Sequence, residues 1–209
     1  MSDDFYYYQA KYKGYRSRAA FKLLEIDMKF RIFRKGQTVV DLGAAPGGWT
    51  QIAAKKVGKA GRVMAIDRAY IPPLQLSNVE IVNMDVFSDK IFTLLENVKP
   101  IDVILSDCAP NVSGNWTIDH STQIMLAFRA LEIAKKALKK EGIFVCKVFQ
   151  GSEFNEFVSA VKKFFTQTKL YKPKASRKKS AEIYIIAQNL KEQFNNSSKE
   201  NESSSNANE

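Results

Sequence analysis

Apolar residues recur along this chain in two rhythms. Short, nearly continuous apolar runs bounded by polar or glycine residues fall at 37–42, 62–67, 79–84, 101–106 and 142–149, and they predict buried strands. Between them, apolar positions spaced by three and four predict helices at 17–29, 48–57, 88–97, 121–140 and 152–165. Two further strands, 167–173 and 182–188, are separated only by a basic loop and should pair as a hairpin. Repeated strand–helix units that end in a hairpin imply an α/β fold whose sheet is mostly parallel, with one antiparallel strand. There is no internal repeat and no linker before the last stretch. Residues 1–190 therefore read as one domain with a basic, aromatic N-terminal arm over 1–16. The polar, low-complexity stretch 191–209 is expected to be disordered.

The first strand runs into the turn of "VVDLGAAPGGWTQIA", residues 39–53. A strand, a small-residue turn and a helix form the opening of many nucleotide sites. A dinucleotide fits poorly, because Ala44 and Ala45 follow Gly43 where the pyrophosphate motif needs a second glycine. Pro46 also lacks the N–H that a phosphate would seek. A triphosphate-binding loop is excluded by the absence of Gly-Lys-Ser/Thr. The turn suits a nucleoside-like ligand without phosphates.

Acids at the following strand ends narrow the choice. Asp41, Asp67 and Asp85 each stand at or near the carboxyl end of a predicted strand, where open α/β sheets hold ligands. Asp67 can accept both hydroxyls of a ribose, and Asp85 can accept from an adenine amino group. An acidic ledge also favours a cationic centre. S-adenosylmethionine, with a ribose, a sulfonium and no phosphate, meets these conditions.

Charge adds a partner. The formal net charge is +10, and the last stretch holds more Glu than Lys, so the body is more basic still. Such a surface seeks a polyanion. Lys11, Lys13, Arg16 and Arg18 alternate with five tyrosines over 5–22, and Lys172, Lys174, Arg177, Lys178 and Lys179 crowd the loop 171–180. Phosphate-binding cations beside planar rings are what single-stranded or looped RNA requires. Lysines 135, 136, 139 and 140 are expected instead to close the helix 121–140, where cations complement its dipole. No apolar run approaches the ~18 residues of a membrane span. Cys108 and Cys146 are too few for a zinc site or a disulfide framework and read as buried thiols in a reducing cytosol. The acidic, aromatic start is not a signal peptide, so the expected location is cytoplasmic, without metal or membrane.

Two further residues point to chemistry. Asp107 stands at the end of the strand 101–106, in "LSDCAPNVSGNWTIDH". Lys147 lies inside "FVCKVF", and a lysine in a buried strand is costly unless paired or functional. Glu182 opens the last strand, and Lys22 sits on the amphipathic helix 17–29.

These strings carry a resemblance. "YRSRAAFKLLEI", "VVDLGAAPGGWTQ", "DVILSDCAPNVSG" with its following "DH", "FVCKVFQG" and "KPKASRKKSAEIY" resemble, in order, the FtsJ/RrmJ family of S-adenosylmethionine-dependent RNA 2′-O-ribose methyltransferases. The resemblance spans roughly 5–188. It implies a Rossmann-like class I methyltransferase fold with strand order 3-2-1-4-5-7-6 and strand seven antiparallel. It implies a Lys-Asp-Lys-Glu tetrad at Lys22, Asp107, Lys147 and Glu182, and cofactor contacts at Gly47, Trp49, Asp67, Asp85 and Asp107. The expected reaction is methylation of a ribose 2′-OH, on a uridine of large-subunit rRNA, by a monomer with Lys147 as general base. The alternatives are a tRNA anticodon-loop ribose or an RNA-binding assembly factor with secondary catalysis. The polar tail lies outside the family pattern and carries no role.

Overall fold

The computed structural model describes residues 3–191, so all of the predicted disordered tail beyond Lys191 lies outside the described residues. Seven strands form one sheet in the order β3-β2-β1-β4-β5-β7-β6. They are β1 (Thr38–Leu42), β2 (Arg62–Asp67), β3 (Val79–Asn83), β4 (Ile101–Ser106), β5 (Leu138–Phe149), β6 (Phe165–Tyr171) and β7 (Glu182–Leu190). β1 to β5 run parallel, and β7 is antiparallel to both β5 and β6, as the hairpin requires.

Alternation along the strands divides the core in two. Val39, Val63, Val103, Val145 and Tyr184 pack with α2 (Ala19–Phe30) and α3 (Gly48–Val57). Val40, Met64, Ile104, Cys146 and Val148 pack on the other side with α4 (Lys90–Glu96), α5 (Trp116–Ala137) and α6 (Phe154–Phe164). Lys147 therefore shares the side of α2, which carries Lys22.

The structure departs from the sequence pattern at three boundaries. Much of the arm forms a helix, α1 (Asp3–Tyr12), held by packing of the Tyr6 ring on Phe21 of α2 at 5.4 Å. The helix expected over 121–140 starts at Trp116, because the Asn115 side chain accepts from the N–H groups of Thr117 and Ile118 at 3.0 and 3.4 Å. It ends at Ala137, so Lys139 and Lys140 belong to β5 and only Lys135 and Lys136 sit in the last helical turn. Tertiary pairing overrides the helical pattern there. Leu138 aligns with Ile101, and Lys139 forms an ion pair with Asp102 at 2.5 Å.

Candidate active site

At the carboxyl ends of β1, β2 and β4 lies a cavity of about 250 Å³. Its lining includes Gly43, Asp67, Asp85 and Asp107, with Thr122 and Leu126 from α5. Gly43 has φ +72°, and a Cβ there would stand 2.6 Å from the Cys108 sulfur, so only glycine lets the turn pass the loop after β4. Asp67 receives the N–H groups of Ala45 at 2.9 Å and Ala69 at 2.7 Å, which ties the turn to the end of β2. A carboxylate has about four acceptor positions, so Asp67 retains capacity toward the cavity. One oxygen of Asp85 accepts from the Phe87 N–H at 2.9 Å, and Arg68 stands 3.9 Å from the other.

Asp41 does not join this ledge. It is fully buried beneath the turn and accepts the Thr50 hydroxyl at 2.6 Å. Gly47 begins α3 in a left-handed conformation, φ +103°, next to the Arg16 guanidinium. Trp49 is buried as well. Its indole N–H donates to the Ala19 carbonyl at 2.8 Å, and its ring packs on Tyr184 at 5.6 Å. Neither residue is among those that line the cavity.

Beside the cavity, four elements converge on one charged cluster. Lys147 donates to the Asp107 carbonyl oxygen at 2.7 Å and lies 3.1 Å from its carboxylate. Lys22 contacts Glu182 at 2.6 Å. A residue that the sequence did not single out, Tyr184, joins the two pairs. Its hydroxyl donates to the Asp107 carboxylate at 2.8 Å and accepts from Lys22 at 3.4 Å. Tyr184 faces Lys147 across the β5–β7 ladder. In "AEIYIIA" it reads as one more buried strand residue, and only its spacing of two from Glu182 puts it on the same side. Burial acts most strongly on Asp107 and raises its pKa. Lys147, Lys22 and the Tyr184 hydroxyl together outweigh burial, so the group stays below the usual carboxylate range. Burial and then the Asp107 charge push the Tyr184 phenol well above its ordinary value. The cluster brings together two lysines and two carboxylates, buried except at Asp107, whose side chain stays 17% exposed.

A second unforeseen residue braces Lys147. β4 ends opposite Cys146, which leaves the next residues of β5 without a partner on that side. The Gln123 side chain of α5 takes that place. It donates to the Lys147 carbonyl and accepts from the Phe149 N–H, both at 2.8 Å.

The basic residues divide by environment. Lys11 and Lys13 are exposed, with Lys13 at 5.8 Å over the Phe21 ring. Arg16 is instead a brace. Its guanidinium donates to the carbonyls of Pro46 at 3.0 Å, Pro72 at 2.5 Å and Pro73 at 2.6 Å, joining the glycine turn to the segment after β2. Arg18 is half-buried at the start of α2. Lys172, Lys174, Arg177, Lys178 and Lys179 are all exposed, and Lys172 donates to the Ser180 carbonyl at 2.6 Å. This loop is tied to α2 through Glu25, whose carboxylate accepts from the N–H groups of Lys174 at 2.7 Å and Ala175 at 3.0 Å. Burial and then the Glu25 charge raise the Tyr6 phenol. Cys108 and Cys146 are free buried thiols, and burial pushes Cys108 up to about 11. Among the described residues no cluster of metal-ligating side chains occurs, and no helix is long and apolar enough to cross a membrane.

Comparison with known proteins adds to this geometry. The model of the family described as FtsJ-like methyltransferase matches residues 15–190. The chain is 48% identical over 186 residues to a ribosomal RNA large subunit methyltransferase E from Methanosarcina mazei, covering 88% of this chain and 68% of that protein. It is 44% identical over 189 residues to the protein of the same name from Archaeoglobus fulgidus, covering 90% and 96%. A crystal structure from Plasmodium falciparum, assigned as a ribosomal RNA methyltransferase, superposes with a TM-score of 0.73 at 28% identity, over 84% of this chain and 98% of that one.

Proposed function

This chain belongs to the FtsJ-like methyltransferase family, and from that premise we propose that it methylates a ribose 2′-OH of large-subunit rRNA with S-adenosylmethionine. The observation that carries the chemistry is the Lys147–Asp107–Tyr184–Lys22 cluster beside the cavity. The names of its relatives support the choice of rRNA.

The cavity fits the cofactor in its donor chemistry. Asp67 has acceptor capacity for ribose hydroxyls, Asp85 for an exocyclic amine, and the small-residue turn leaves room for a nucleoside. When bound, S-adenosylmethionine supplies an electrophilic methyl group. Gly47 and Trp49 act behind this wall, by shaping the start of α3 and by backing Tyr184.

The protein's own residues handle the hydroxyl. A ribose hydroxyl is a weak nucleophile and needs a base within hydrogen-bond reach. Before transfer the Lys147 ammonium gives one proton to solvent, and the resulting neutral amine has two N–H groups and one lone pair. The Asp107 carbonyl and carboxylate offer acceptors for both N–H groups of Lys147, so its lone pair is left for the substrate proton. The proton moves from the 2′-oxygen to the Lys147 Nζ, where the Asp107 carboxylate stabilises the resulting ammonium. Lys22, fixed by Glu182 and Tyr184, holds Asp107 in place from the other side. Gln123 prevents the end of β5 from shifting during this transfer. Exposed Lys11, Lys13, Lys174, Arg177, Lys178 and Lys179 contact RNA phosphates around α2.

The test is mass mapping of ribose methylation in RNA from a deletion strain, followed by single-turnover methyl transfer with purified protein. One 2′-O-methyl group should disappear from large-subunit rRNA and return with the wild-type protein. Lys147→Ala should not restore it, although it still binds cofactor and RNA. A lost modification in tRNA would overturn the substrate. Methylation of a base, or substantial activity of Lys147→Ala, would overturn the mechanism.

A further inference from the structure

Trp116 is the first residue of α5 and stays 52% exposed, although aromatic rings support it from within. It stacks on His120 at 5.5 Å and on Phe149 at 6.0 Å, with 14° between planes in both pairs. His120 is only 3% exposed, yet neither ring nitrogen forms a hydrogen bond; its nearest ionic neighbour is Glu153 at 3.7 Å. A Cβ on Gly151 would stand 2.5 Å from this imidazole, so the chain gives up a side chain to let the ring lie there. The imidazole lies nearly parallel to the Trp116 indole.

The location of the stack suggests its use. Phe149 lies two residues beyond Lys147 and faces Glu182 across the β5–β7 ladder. The rings therefore meet at the carboxyl end of the sheet, past the last β4–β5 pair. Along α5, within about three turns, come Trp116, the Gln123 brace on Lys147, and the cavity-lining Leu126.

We propose that the exposed face of Trp116 is a stacking platform for a nucleobase of the RNA, at or next to the nucleotide whose ribose is methylated. This rests on the RNA methyl-transfer reading above. Two features favour a nucleobase over a protein partner. The chain carries a net charge of +10, which draws a polyanion, and the ring is flat and stacked in parallel on Phe149, two residues beyond Lys147 on β5. An unpaired base presents a planar face of similar size, and loss of one such stack weakens RNA binding by roughly 5- to 150-fold.

The experiment uses an rRNA fragment that the wild-type protein methylates, in single-turnover assays at saturating S-adenosylmethionine. Trp116→Leu keeps an apolar side chain but removes the plane, and Trp116→Phe keeps a plane. The leucine variant should need about 10- to 100-fold more RNA for half-maximal rate, with unchanged cofactor affinity and thermal unfolding. The phenylalanine variant should recover most of the loss. Abasic substitutions, placed singly at and around the methylated nucleotide, should include one that weakens the wild type and leaves Trp116→Leu no weaker than before. Equal RNA dependence of wild type and Trp116→Leu overturns the platform while leaving the methyl-transfer reading intact. So does a defect of Trp116→Leu that appears only on assembled subunits, which would make the indole a contact for ribosomal protein. A wild-type protein that methylates no RNA overturns the reading itself, and the platform with it.

Discussion

Asp41 should be about half protonated near neutral pH, so its contribution to stability grows toward acid. Its carboxyl has no water contact; one oxygen accepts from Thr50 and the other has no hydrogen-bond partner. Burial raises it most, the Thr50 hydroxyl lowers it, and the Asp107 and Asp67 charges raise it again, so it is pushed up to about 7. An unfolded Asp titrates near ~3.9, so folding raises the pKa by about 3 units, and at ~1.36 kcal/mol per unit the linkage is about 4 kcal/mol. The sign follows from proton uptake on folding. The contribution is fully present below about pH 4 and is lost as pH rises through about 7. Asp41→Asn removes the titration while its amide oxygen can still accept from Thr50. Urea unfolding of both proteins from pH 4.5 to 8 isolates the effect. The wild type should gain on the variant by about 3 kcal/mol between the alkaline and acid ends of this window. A difference that stays level across this window, or that grows toward alkaline pH, refutes the reasoning.

Asp67→Ala should weaken S-adenosylmethionine binding by roughly 10- to 1000-fold in isothermal titration, as loss of charge-assisted bonds to two hydroxyls requires. Unchanged affinity in a folded variant would remove Asp67 from the cofactor site. Arg16→Ala should reduce cofactor affinity about tenfold and lower stability by about 2 kcal/mol, because the turn and the segment after β2 lose their common clamp. The salt dependence of its RNA binding should stay near wild type, which a direct phosphate contact would not allow. Replacing Lys174, Lys178 and Lys179 together by Gln should make the plot of log K against log salt shallower by about 2, at ~0.7 per single-strand phosphate contact. An unchanged slope would make the loop a merely solvated surface.

The sheet was legible in the sequence because its strands are short apolar runs that end in glycine or acid, and β1 to β4 and β7 fall close to their expected bounds, whereas β5 begins four residues early at Leu138. Lys147 was legible because a cation amid "FVCKVF" contradicts its surroundings. Tyr184 and Gln123 were not, because their roles depend on which atoms lie across the ladder or beside a vacated strand edge. The end of α5 was misplaced because Lys139 and Lys140 fit a helix terminus locally, whereas pairing to Ile101 and Asp102 is a long-range fact. Asp41 looked like its neighbours at strand ends, but the register of β1 sinks it under the turn. Arg16 reads as a phosphate ligand by composition, since nothing local announces three proline-rich carbonyls some 30 to 57 residues ahead.

The Glu25 carboxylate, one turn beyond Lys22 on the same helix, grips the backbone of Lys174 and Ala175. Ordering a free loop costs about 1–2 kcal/mol per residue, and RNA would have to supply it on arrival. Here that cost is met when the domain folds, so on the proposed function the lysines would meet RNA as part of a stiff jaw. The same helix is the jaw's hinge pin and the mount for Lys22. On the proposed mechanism, an RNA that displaced this loop would therefore strain the helix that carries Lys22.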